Sequence, residues 1–489
     1  MDERQNKRVP ATAGVALVES ASAMEKHGVD FIPDDDRSSR PSDLFFVFVG
    51  SQMCFGIIVI GSLPITFGLG FWDAVSAISV GLFFGSILFG LLAPFGAKAG
   101  ANGAVASGAH FGVRGRAIGT LIAIFTGVGF YSLTVWTGGE AIAAGAIRLF
   151  GWEHSPHLMA LGALIIGALT VLAALYGHAM IVATERLVSY GVAAILLLII
   201  IALWGNFDAG FQGSGELLLG SHWPTWFLCV TISAALPVSY SIFLNDYTRY
   251  IPKGLSTNSL TLAAGSGMFV GCWIALVFAA GVTTLLKSVD APFVPGLIDI
   301  VVWWGAALLV LVGAVGSQPQ GSLCLYGAGL GLQAMAPSMG RISATILLSV
   351  VSLAVVFVGI YVWDMTNMIL AFLLIDQCIL APWLAINLVG YYCIMKGEYQ
   401  PKDLFTFINS VGGGRYWYSN GWNRSALLAW IVGAVVGLMF IHTDYFSGPL
   451  AEMSGGVGLD WIFAGATAAL VYYVLEKAKP AAVRAEYSA

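Results

Sequence analysis

The sequence predicts an all-α polytopic membrane protein with twelve transmembrane helices, and three observations predict it. The chain has 489 residues, of which 58% are hydrophobic and only 10% charged, where an ordinary soluble chain carries about 25% charged residues. Apolar runs of about 20 residues, long enough to cross a bilayer, recur along its length. Lys and Arg are also placed asymmetrically. Of the 22, all but Arg148 and Lys287 fall in segments that alternate onto one side of the membrane, which is the cytoplasmic side by the positive-inside rule.

Residues 1–42 are polar, with Asp34, Asp35, Asp36, Arg37 and Arg40, and have no apolar stretch followed by a cleavage site. They are read as a cytoplasmic tail carrying a short helix at Met24 to Phe31. The spans follow at 44–71, 74–97, 117–147, 158–177, 182–204, 224–248, 258–286, 301–334, 343–362, 367–394, 425–442 and 457–475. The third and eighth are long enough to tilt. This gives a first five-helix unit over 43–205 and a second over 224–395. A loop at 396–424, two further helices over 425–475 and a C-terminal tail at 476–489 complete the chain. Both termini are placed in the cytoplasm, and the protein in the plasma or inner membrane. The six cysteines (54, 229, 272, 324, 378 and 393) all lie in apolar spans without metal-ligand spacing, so they read as small core residues rather than a disulfide or metal framework.

Two spans are interrupted by small or polar residues. The first reads Gly50-Ser51-Gln52-Met53-Cys54-Phe55-Gly56, and the sixth Pro237-Val238-Ser239-Tyr240-Ser241. Proline removes a backbone donor. In lipid such groups are tolerated only against protein or a water-filled cavity, and a broken membrane helix points to a transporter's binding site. The sixth span ends in Asp246-Tyr247-Thr248-Arg249-Tyr250-Ile251-Pro252. This stretch resembles the signature after the sixth helix of the nucleobase–cation symporter 1 family, in its purine–cytosine permease branch. The resemblance continues through Phe67 to Asp73, Phe95-Gly96 to Phe111-Gly112 and Tyr326 to Leu330. It extends further through Ala381-Pro382-Trp383 to Tyr399 and Tyr416-Trp417 with Gly421-Trp422-Asn423. The chain is identified as a member of that family. The resemblance implies a leucine-transporter-like 5+5 inverted repeat with broken helices 1 and 6, plus two C-terminal helices.

The resemblance also implies a site, and this chain departs from the family there. Phe130 stands where relatives carry a stacking Trp, Thr134 where they carry Asn, and Glu140 where they carry Gln. Ser239-Tyr240 replaces Gly-Trp, Gln320 to Cys324 replaces an Asn-rich stretch, and Gly390 replaces Asp. A heterocyclic base in a membrane cavity needs flat faces to stack on and paired donors and acceptors on its edge. Phe130 and Tyr240 would sandwich the ring. Gln52, Thr134, Ser239 and Gln318 or Gln320 would read its edge. Phe130 and Thr134 share a helix face, being four residues apart. For each Gln the plain alternative is an interhelical hydrogen bond.

For coupling, sodium in this fold takes carbonyls from the broken first helix and hydroxyls from the eighth. Only Ser317 and Ser322 lie nearby, without an adjacent hydroxyl pair. The intramembrane acids Glu140 and Asp376 are the proton-relay candidates, with proton coupling preferred and sodium as the alternative. Glu140 could instead meet a cationic substrate. Asp246 and Arg249 read as a cytoplasmic gate or an interfacial anchor. The function expected is secondary symport that imports a nucleobase or related nitrogen heterocycle, such as a purine, cytosine or an allantoin- or hydantoin-like ring. A small cationic nitrogen compound is the second substrate class, and a channel or membrane enzyme the reading from another class. No catalytic residue, cofactor, metal or nucleic-acid partner is expected. The seven His lie at loops or span ends, and no P-loop motif is present. The lipid bilayer is the expected environment, and the sequence is silent on oligomeric state.

Overall fold

The computed structural model describes residues 28–288, 291–362, 365–409, 411–443 and 445–480. Among the described residues every extended regular element is helical. The first span is α1 (Pro41–Ser51) and α2 (Phe55–Thr66), bent by 70° at their junction. Next come α3 (Phe71–Leu91), the short α4 (Ala93–Ala99) and α5 (Gly103–Phe111), and the 34-residue α6 (Ala117–Phe150). Then follow α7 (Pro156–Tyr176), α8 (His178–Leu203), α9 (His222–Tyr240) and α10 (Leu244–Thr248). The second half continues with α11 (Thr257–Thr283), α12 (Phe293–Ile300) and the 33-residue α13 (Trp303–Met335). It ends with α14 (Arg341–Tyr361), α15 (Met365–Leu388), α16 (Arg424–Phe440) and α17 (Asp460–Ala478).

Helices thus occupy all twelve expected positions. Among the described residues nine are long and apolar enough to cross a membrane, or ten when the bent α1–α2 pair counts as one span. The 17-residue α16 falls outside that set, as does α17, which carries Asp460, Glu476 and Lys477. Leu121, Leu172, Leu187, Ile201 and Leu470 project from the bundle largely exposed. A band of such residues suits acyl chains rather than water. The expected helix at Met24–Phe31 lies in part outside the described residues, and Gly28–Phe31 is not helical.

Packing divides the helices into two groups joined by two others. α3 lies against α9 and α11, and α11 against α1. α6 runs along α13, with α7 and α14 against both. α8 bridges α1 and α13, whereas α15 bridges α6 and α9 and carries α16 and α17 on its outer side. Spans five apart match: the first and sixth are broken, and the third and eighth are the long ones. Close approach within the first group depends on small residues. A side chain at Gly61 of α2 would sit 2.3 Å from the Leu276 carbonyl oxygen of α11, so these two backbones are in contact.

One expected break lies elsewhere. The helix does not stop at Pro237. It runs through the proline to Tyr240, turns over Ser241–Phe243 and restarts at Leu244. A proline frees the carbonyl one turn before it but leaves the following donors able to bond backwards. The interruption therefore appears about one turn later, and Tyr240 is the last residue of α9 rather than the first after a break. Pro319 and Pro382 likewise lie inside continuous helices.

Candidate functional site

The elements converge where α1 gives way to α2 and α9 ends. Phe130 of α6 and Tyr240 of α9 meet there with ring centroids 5.0 Å apart and planes tilted by 54°. Both are fully buried. The structure brings the two expected stacking rings together, in direct contact rather than spaced for a base between them. A substrate ring would have to part them, by side-chain rotation or by movement of α9 relative to α6. Phe372 of α15 was not anticipated. It packs edge-on against Phe130 at 5.2 Å and adds a third aromatic ring to the cluster. Its sequence context is an ordinary apolar run, with no signal beyond aromaticity.

The edge groups gather unevenly around this pair. Thr134, one turn beyond Phe130, is buried with no hydrogen-bond partner for its hydroxyl. It faces Gly56, at the start of α2. α6 and α13 run antiparallel, since Gly127 faces Cys324 and Gly138 faces Ser317 and Gly313. That register sets Gln320 level with Phe130 and Thr134. Gln320 is fully buried, and neither end of its amide is paired. Ser239 is buried, and its hydroxyl lies beside the Asp376 carboxyl across the α9–α15 contact. A cluster of buried polar atoms without partners is costly in a protein interior. Here Thr134 and Ser239 lie on the two helices that carry the aromatic pair and Gln320 at the same level of α13, so a polar-edged ligand bound there would offer them partners. Gln52 is differently placed. It sits in the α1–α2 turn, donates to Ser51 Oγ at 2.8 Å and receives the Cys272 thiol of α11 at 3.5 Å. Gln318 is only partly buried and donates along its own helix to the Ala314 carbonyl at 3.3 Å, so it stands outside the cluster.

The coupling candidates separate in the same way. Asp376 of α15 is fully buried, one turn beyond Phe372. One carboxylate oxygen accepts from Thr126 of α6 at 2.6 Å, and the carboxyl also lies beside the Ser239 hydroxyl of α9. It therefore belongs with the substrate-edge groups. Glu140 lies ten residues beyond Phe130, about 15 Å along the helix, and is partly exposed. Ser317 donates to the Gly313 carbonyl at 2.6 Å. Its neighbour Gly316 faces the Met53 carbonyl of the α1–α2 turn, which brings together the two backbones that a cation site would use.

Asp246 and Arg249 form part of a buried latch. Arg249 is fully buried, so it does not stand at the headgroups as an interfacial anchor. It donates to the Gly28 carbonyl at 2.6 Å, to the Tyr326 hydroxyl of α13 at 2.8 Å and to the Tyr250 hydroxyl at 3.3 Å. Asp246 accepts from the Gly103 amide at the start of α5, and Asn245 from the Gly96 amide of α4. The segment before α1 is tied down too. Arg37 donates to the Ala97 carbonyl at 2.6 Å, and burial lowers the pKa of its guanidinium, with Asp34 opposing that shift. His178 of α8 stacks on Tyr250 at 3.9 Å and bonds Ser39 at 3.2 Å. The missing family aspartate also has a reason here. A side chain at Gly390 would collide with the His110 ring, 2.2 Å away, and His110 instead pairs with Tyr399 at 3.1 Å.

Residues 31–463 match the family described as permeases for cytosine/purines, uracil, thiamine and allantoin. The chain belongs to this family. The permease is 25% identical over 461 residues to a putative purine–cytosine permease, YxlA, of Bacillus subtilis (strain 168), covering 93% of this chain and 96% of the relative. It is 23% identical to the purine–uracil permease NCS1 of Arabidopsis thaliana, over 85% of this chain and 74% of that one. Its fold matches Mhp1, a nucleobase–cation-symport-1 family transporter solved in a closed conformation with bromovinylhydantoin bound. The TM-score is 0.73 at 16% identity, over 95% of this chain and 99% of Mhp1. The fold is therefore the leucine-transporter-like inverted repeat, and the chain is a multi-pass membrane transporter rather than an enzyme.

Sequence reasoning missed a further buried acid. Glu185 of α8 is fully buried and neither carboxylate oxygen has a partner. The available signal was an acidic residue four positions into the apolar run 182–204.

Proposed function

We propose that the permease imports a nucleobase or related nitrogen heterocycle by alternating access, driven by protons. The observation that carries this reading is the buried Phe130–Tyr240 pair, with the buried polar groups of Thr134, Ser239, Gln320 and Asp376 at the same level of the bundle. Flat faces and a mixed donor–acceptor rim match a planar ring with an amide-like edge. The names of the two relatives and the hydantoin held by Mhp1 support the same substrate class. Movement of the α1–α3–α9–α11 group against the α6–α7–α13–α14 group would open the site to each side in turn. Glu140 stands too far from the aromatic pair to favour an amine there. Proton coupling is preferred over sodium because Ser317 is flanked by Gly316 and Gln318 rather than by a second hydroxyl, whereas buried acids are present. Both termini are placed in the cytoplasm of a cell whose plasma or inner membrane holds the protein.

Equilibrium binding of labelled cytosine, adenine, hypoxanthine, uracil and allantoin to purified protein tests the substrate class. At least one should bind, and Tyr240→Ala should weaken it by about 10- to 100-fold. The loss combines about 0.5–1.5 kcal/mol of stacking with the burial of a large side chain. Amines that displace the bound base, or a Tyr240→Ala variant that binds as well as the wild type, would contradict the assignment.

A further inference from the structure

We propose that the coupling proton is carried by Glu185, at the seam between α8 and the first half of the broken first span. The assignment rests on the proton-driven reading above and identifies the residue that performs it. Glu185 points at α1. A side chain at Gly50 would sit 2.4 Å from its Oε2 and 2.8 Å from Ser189 Oγ. Gly50 is the penultimate residue of α1, immediately before the Gln52–Cys54 turn. The carboxyl therefore lies against a helix C-terminus, where carbonyls lack in-helix donors and the helix dipole is negative.

Among the described residues no cationic side chain pairs with this carboxyl. Arg186 is turned the other way, half exposed, and is ion-paired with Asp43 over the Phe46 ring. The thiols of Cys54 on α2 and Cys324 on α13 lie within electrostatic reach of Glu185. α7, also packed on α8, carries titratable side chains only at its ends, His157 and Tyr176. His178 lies about two turns away along α8, engaged with Tyr250 and close to Arg249.

The chemistry of the seam then depends on one proton. The neutral acid can donate its O–H to a free carbonyl of α1 and hold that half-helix against α8. The anion has only like polarity to face and favours separation. Other contacts across the seam include the Phe46–Tyr190 ring pair at 5.3 Å. Ser189 bonds the Phe46 carbonyl at 3.1 Å, Arg186 pairs with Asp43, and Ser39 bonds His178. A proton taken up from the outer solution closes the seam. Its release to the inner solution, when α1 swings away and water reaches the carboxylate, leaves the protein unchanged and one proton transferred.

The test compares wild type, Glu185→Gln and Glu185→Asp in proteoliposomes, with labelled cytosine as the probe. Two readouts separate coupling from binding: exchange against internal unlabelled cytosine with no gradient, and accumulation under an inward pH gradient. Glu185→Gln, a fixed mimic of the neutral acid, should still exchange but lose at least tenfold in pH-driven accumulation. Glu185→Asp should accumulate, with its pH dependence displaced. Wild-type accumulation by Glu185→Gln, or loss of exchange together with accumulation, overturns the assignment while leaving the proton-driven reading in place. Should Glu185→Gln fail to fold, Glu185→Asp decides, and an unchanged pH profile overturns the proposal. Wild-type accumulation under a sodium gradient alone overturns the proton reading and the assignment with it.

Discussion

Asp376→Asn should weaken base binding by about 10- to 150-fold in the folded protein, making it the largest single-site loss at the pocket rim. The oxygen that accepts from Thr126 at 2.6 Å is retained as the amide oxygen, so the α6–α15 contact survives. The other oxygen, on the side of the Ser239 hydroxyl, becomes an NH2 group. An acceptor aimed at the N–H edge of a heterocycle is thereby replaced by a donor. Hydrogen bonds to charged groups contribute about 1.5–3 kcal/mol, which is the stated range of affinity. Calorimetric titration with the best-binding base checks it, alongside the melting temperature as a fold control. An unchanged Kd would remove Asp376 from the substrate edge.

The second large effect is expected at the latch. Arg249→Ala removes a buried guanidinium that ties Gly28, Tyr250 and Tyr326 to the end of the sixth span. Deleting one partner of a buried charged network typically costs about 3–5 kcal/mol. Here that cost should appear as release of the segment before α1. Amide hydrogen exchange across residues 28–40 should accelerate at least tenfold, and uptake should fall. Arg249→Lys should not restore protection, because an ammonium cannot reach several acceptors in the planar fork of a guanidinium. Unchanged exchange in Arg249→Ala would mean that the segment is held by its other ties, Arg37 to Ala97, Ser39 to His178 and the Ile32 amide to Gly100.

Much of this was legible in the sequence because lipid imposes strong rules on it. Apolar length placed the helices, and the small and polar run Gly50–Gly56 marked the break that the structure places between Ser51 and Phe55. The sixth span was harder. Proline signals a missing donor but not where the helix will stop, so the turn lies at Ser241–Phe243 rather than at Pro237. Thr134, Ser239, Tyr240 and Phe130 were accessible through the family resemblance, since alignment carries positions that composition does not. Phe372 and Gln318 were not, because whether a membrane Phe or Gln faces the pocket is decided by helix rotation against neighbours. Glu185 shows the same limit. Its neighbour Arg186 suggested a membrane edge, yet successive helix residues are about 100° apart in rotation. One side chain reaches solvent and Asp43 while the other is sealed against α1.

The most direct test of the central claim is uptake of labelled cytosine into proteoliposomes, with an inward pH gradient and an inward sodium gradient imposed separately. The account predicts accumulation above the external concentration under the pH gradient, abolished by a protonophore, and no accumulation from sodium alone. Equilibration without accumulation under either gradient, or accumulation driven only by sodium, would contradict a proton-driven permease.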